Sequence, residues 1–94
     1  MEKEELIKII SEEFGVKEEA IYAHDKSGQA SLARGYAIYL LHYDLKQYAS
    51  VIANTFKISR RAIYWNCNKI AFLIKQKTYA QHMRNIKARL GIEE

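Results

Sequence analysis

Through six stretches of this chain apolar residues return every third or fourth position, and proline is absent from all 94 residues. Such spacing lines one side of a helix with apolar groups, and nothing in the chain alternates with the two-residue period of a half-buried strand. The expected fold is all-α, with five to six helices. Glu2 to Phe14 carries Leu6, Ile7, Ile9, Ile10 and Phe14, and Gly15 ends it by accepting a positive φ. Lys17 to Tyr22 predicts a short second helix with glutamates in its first turn. The polar stretch AHDKSGQAS, Ala23 to Ser31, reads as the longest loop, with Ser31 as N-cap of a helix over Leu32 to Leu45. That helix is apolar nearly all round, as a central helix touched on several sides must be. Its tyrosines, Tyr36, Tyr39 and Tyr43, are expected in the core or at its rim with their hydroxyls at the surface. Tyr48 to Phe56, Arg60 to Lys75 and about Thr78 to Leu90 supply the remaining helices, the last stopped by Gly91.

The length predicts one small domain over residues 1–94, and an apolar share of 49% is too high for a disordered tail. No run approaches the roughly 20 apolar residues that span a bilayer. The acidic start MEKEELIKII is unlike a targeting segment, which makes the cytoplasm the expected compartment. Cys67 is the single cysteine and His24, His42 and His82 are scattered, so neither a disulfide nor a metal site is expected. No nucleophile–base pair or glycine-rich phosphate loop suggests an enzyme or a cofactor.

Charge is distributed unevenly. Residues 1 to 30 hold eight carboxylates and four lysines, whereas Leu45 to Ile92 hold ten Lys or Arg and no Asp or Glu. A long segment of one sign repels itself on folding, and a polyanion relieves that repulsion. Within this segment, Tyr48 to Lys69 reads as a short helix, a three-residue turn Lys57-Ile58-Ser59 and a longer helix. This is the helix-turn-helix arrangement, in which the second helix offers its N-terminal half to the DNA major groove. Ala53 is small enough for the two helices to approach, and Ser59 is a good N-cap. With Ile63, Cys67 and Ile70 buried, Arg60, Arg61, Tyr64 and Asn68 project outward, with Trp65 and Lys69 at the margin. Two arginines in a helix's first turn oppose the partial positive charge there, so something outside the helix must favour them. Arginine forks onto guanine or phosphate, asparagine pairs with adenine, and tyrosine touches a thymine methyl or donates to phosphate. Trp65 could stack on a sugar or base, although packing against the last helix is the stronger expectation. Cys67 is expected to be a small buried apolar group.

The order of segments resembles the C-terminal DNA-binding domain of the bacterial replication initiator DnaA, a Trp-repressor-like fold, over roughly Leu6 to Leu90. The carriers are LIKIISEEFGV, KEEAIYA, the loop AHDKSGQAS, ARGYAIYLL, and YASVIANTFKISRRAIYWNCNKI. In the recognition segment the family resembles Phe-Gly-Gly-Arg-Asp-His-Thr-Thr-Val. This chain has Phe56-Lys57-Ile58-Ser59-Arg60-Arg61-Ala62-Ile63 there, one residue shorter. Ser59 takes the Asp position, Arg60 the His, and Arg61 and Ala62 the two Thr. The family's basic loop is nearly uncharged here, and since 94 residues leave no room for the family's ATPase domain, none is expected. The resemblance implies binding of double-stranded DNA in replication or transcriptional regulation without ATPase activity. Lys46, Lys57, Lys69 and Arg34 would then neutralise phosphates, and Arg60, Arg61, Tyr64 and Asn68 would read bases. A homodimer or protein partner would aid a module that binds weakly alone. The rival expectation is a protein-interaction module whose basic face docks an acidic partner.

Overall fold

A computed structural model describes residues 3–23 and 28–92. Six helices follow in order, α1 Lys3–Phe14, α2 Glu18–Tyr22, α3 Gly28–Tyr43, α4 Ala49–Phe56, α5 Arg60–Leu73 and α6 Lys77–Leu90, and the described residues contain no strand. The fold is all-α, within the expected five to six helices. No helix among the described residues is long and apolar enough to cross a membrane.

One contiguous core draws side chains from every helix, among them Leu6 and Ile10 of α1, Ile21 of α2, Tyr36 and Leu40 of α3, Ile52 and Phe56 of α4, Ile63 and Ile70 of α5, and Ile86 of α6. Its axis is α3, against which α1, α2, α4 and α5 all pack, while α6 lies along α1. The axis begins four residues before the expected start, at Gly28, so Ser31 sits in its first turn instead of capping it. The remainder of the predicted loop, residues 24–27, lies outside the described residues. Tyr36 also departs from expectation. It is fully buried, its hydroxyl included, and donates to the Tyr79 carbonyl at 2.7 Å, while burial pushes the phenol pKa well above its ordinary value.

Two close fits set the site's frame. Gly35 faces α5, where an added Cβ would lie 3.0 Å from Ile70 Cδ1, so the absence of a side chain lets α3 and α5 approach. Sequence reading assigned close approach to Ala53, which is buried as required, but did not identify Gly35. The second fit is at the helix ends. After α1, Val16 N–H donates to the Ser11 carbonyl across Gly15 at φ 65°, and after α6, Ile92 N–H donates to Lys87 across Gly91 at φ 74°. After α4, Ile58 N–H donates to Ala53 in the same way, yet the left-handed residue between them is Lys57, at φ 56°. A lysine thus occupies the conformation in which glycine closes the other two helices.

Candidate nucleic-acid interface

The turn 57–59 delivers the chain into α5 with Ser59 extended, and the Ser59 hydroxyl oxygen accepts from the Ala62 amide at 3.1 Å. That bond satisfies one of the unpaired donors at the start of α5. Ser59 is therefore first a cap, and only its hydroxyl hydrogen is left for a ligand.

From there α5 turns Ile63, Cys67 and Ile70 inward, where all three are buried. Burial pushes the Cys67 thiol pKa up, which keeps it protonated and inert, as expected of a small apolar filler. Arg60, Arg61, Tyr64 and Asn68 are exposed, as the periodicity predicted. Lys69 is half-buried, its ammonium 5.3 Å from the Trp65 ring centroid. Trp65 requires correction: it does not fold away against the last helix but is 62% exposed, because α5 packs on α3 and α4 while α6 lies along α1. It stands near the middle of the outer face, not at its margin. Phe72, 64% exposed, was missed altogether. The signal was available, since Arg61, Trp65, Asn68 and Phe72 follow one another at i, i+4, i+7 and i+11, on the side turned from Ile63, Cys67 and Ile70.

Behind α5, the C-terminal end of α3 adds a chain of rings. Tyr39 meets Tyr43 at 4.8 Å between centroids, Tyr43 meets His42 at 5.0 Å, and His42 meets Tyr64 edge-on at 5.8 Å. His42 Nδ1 donates to the Gln47 carbonyl at 3.3 Å, which orients the ring against Tyr64. The sequence showed no partner for His42 because the contact to Tyr64 depends on how α3 crosses α5.

The lysines before α4 and α5 are placed by unusual backbone. Lys46, in the link between α3 and α4, is exposed at φ 58°, and Lys57 is exposed in the turn before α5. No ion pair among the described residues involves α4, α5 or the turn between them. Arg34 does not join this surface. Its Nε donates to the Ile21 carbonyl at 2.8 Å, and its Nη2 donates to Ala20 at 3.0 Å and to Ala23. The guanidinium caps the C-terminal carbonyls of α2 and is half-buried there, so the expected phosphate contact gives way to a structural one.

Three ion pairs form elsewhere among the described residues. His82 Nδ1 donates to Glu13 Oε2 at 2.8 Å, Asn85 donates to the same oxygen at 3.2 Å, and Arg89 pairs with Glu12 at 2.5 Å. Lys87 lies 3.9 Å from Asp44. His82 thus has a carboxylate partner that its sequence neighbourhood did not show. Compared with known families and curated proteins, the chain matches no family model and no curated sequence.

Proposed function

We propose that this protein binds double-stranded DNA in the cytoplasm through the exposed face of α5 and serves replication or transcriptional regulation without catalysing a reaction. The observation that carries this reading is the pairing pattern. Arg60 and Arg61 open α5 where the helix itself disfavours cations, and no described carboxylate compensates them. A phosphate backbone supplies the missing negative charge, and the groove floor offers acceptors to Arg60, Arg61 and Asn68. The resemblance to the DnaA DNA-binding domain supports the same face, with Ser59, Arg60 and Arg61 at its rewritten base-reading positions. In this reading Lys57, in the turn before α5, and Lys46, in the link before α4, contact phosphates together with Lys69, which lies beside Trp65.

Anisotropy titration of a labelled random-sequence duplex at two salt concentrations tests the proposal. Binding that weakens steeply with salt, and less steeply in the Arg60→Ala/Arg61→Ala double variant, is expected. Affinity unaltered by that double substitution removes the assignment.

A second reading, docking of an acidic protein partner, draws on Tyr48, just before α4, and Val51 on α4, which are both exposed. It predicts that Tyr48→Ala/Val51→Ala abolishes partner capture while duplex affinity stays unmeasurably weak in the unmodified protein.

A further inference from the structure

An indole 62% exposed on a cationic helix carries an apolar area that water disfavours, and the outer face of α5 indicates what covers it. Trp65 lies between Arg61 and Asn68 on one line of the helix. It is five residues beyond Arg60, about 7.5 Å along the axis, and so within the half of α5 that would enter a groove. Lys69 holds the ring from one side at 5.3 Å, which limits the freedom the indole would lose on binding. The same face of a second copy is a poor cover. Leu45 to Ile92 contains no carboxylate, so two such faces would bring like charges together. A surface that fits this face is anionic and presents an apolar group beside acceptors for Arg61 and a donor–acceptor pair for Asn68. In the major groove the one apolar group on a base edge is the thymine 5-methyl.

Resting on the DNA reading above, we propose that Trp65 packs on the thymine 5-methyl group in the major groove and makes the protein discriminate thymine from uracil in duplex DNA. Asn68, one turn further, accepts and donates at the adenine of the same or the neighbouring pair, so the outward line of α5 favours A·T pairs next to the Arg61 contact. Phe72 stands seven residues beyond Trp65, about 10 Å further along the axis, outside the reach of that methyl.

Competition between alternating dA–dT and dA–dU duplexes of equal length tests this, because their phosphate charge is the same and the exchanged methyl is the variable. The unmodified protein should prefer the thymine duplex by about fourfold for each methyl covered. Trp65→Ala should bind both duplexes alike, with its loss confined to the thymine duplex, and Phe72→Ala should keep the preference. Equal binding of both duplexes by the unmodified protein, or a preference retained in Trp65→Ala, overturns the role of Trp65 and leaves duplex binding standing. Tighter binding of single-stranded oligo(dT) than of either duplex overturns it in favour of base stacking. A concentration-dependent blue shift of tryptophan emission without DNA overturns it in favour of a second copy. Failure to bind any duplex at low salt removes the functional reading itself, and this inference with it. Trp65 is outside the core, so its truncation leaves the fold in place, which the unfolding midpoint verifies.

Discussion

Two of the helices packed on α3, α1 and α5, treat charge in contrasting ways. On one flank, α1 sets Phe14 edge-on against Tyr36 and presents Glu12 and Glu13, both of which find partners on α6. On another, α5 packs Ile70 against Gly35 and presents Arg60 and Arg61, for which the described residues supply no carboxylate. Both helices bury isoleucines completely, so their attachment to the core rests on the same physics. They differ in what their outer faces are completed by. Glu12 and Glu13 of α1 are answered within the fold, whereas Arg60 and Arg61 of α5 have no ion pair among the described residues.

The largest expected effects fall where the two flanks are alike. Ile70→Ala should lower unfolding stability by about 2–5 kcal/mol, and Ile10→Ala on the α1 side by a similar amount. Denaturant unfolding of both variants checks this, and a marked inequality would mean that the flanks differ in packing as well as in charge. Part of the Ile70 loss should be recovered in a Gly35→Ala background, because the added methyl would stand 3.0 Å from the Cδ1 that Ile70→Ala removes.

Next come the two arginines, which should separate stability from binding. Arg60→Ala/Arg61→Ala should leave the fold intact or stabilise it by about 0.3–1 kcal/mol per charge, since cations oppose the dipole at that end. The same variant should make the plot of log affinity for duplex DNA against log salt shallower by about one to two units. A variant that loses stability instead would show that the arginines are partnered within the fold.

Lys57→Gly sharpens the contrast at a single backbone position. Relief of the left-handed lysine at φ 56° should stabilise the protein by about 1 kcal/mol, while removal of the ammonium weakens duplex binding. Thermal unfolding and anisotropy on the same sample distinguish the two effects.

The smallest effect belongs to the paired flank. The hydrogen bond from Arg89 holds the Glu12 carboxyl below its ordinary value of 4.5. A carboxyl depressed in the folded state contributes stability that is complete above the unfolded pKa and is lost as pH falls through the folded one. Arg89→Ala should therefore change stability slightly near neutral pH, and acid unfolding curves of the two proteins should converge once the pH has fallen through the depressed Glu12 pKa. The pair is solvent-exposed, which keeps the stability change small, and it joins α1 to α6 and not α5, so DNA affinity should be insensitive to it.

Helix periodicity was legible because it depends on neighbours three and four residues apart. The inward set Ile63, Cys67 and Ile70 and the outward set Arg60, Arg61, Tyr64 and Asn68 followed from spacing alone. Arg34 shows where this stops. Its position at the start of the central helix suggested a phosphate contact, but the carbonyls it meets belong to α2, eleven to fourteen residues earlier. Trp65 and Phe72 show the converse. Trp65 was expected to pack against the last helix and Phe72 drew no expectation, and both are exposed, as α6 is engaged with α1 and does not cover α5.

The sequence by itself determined that this chain is helical, where most helices end, and that Leu45 to Ile92 carries charge of one sign. Only the tertiary structure decided which charges are answered inside the molecule and which aromatic groups stay uncovered. The physical reason is one of range. A helix is specified by hydrogen bonds and apolar spacing within a turn or two, whereas the partner of a guanidinium or an indole is whatever segment the packing of distant helices brings beside it.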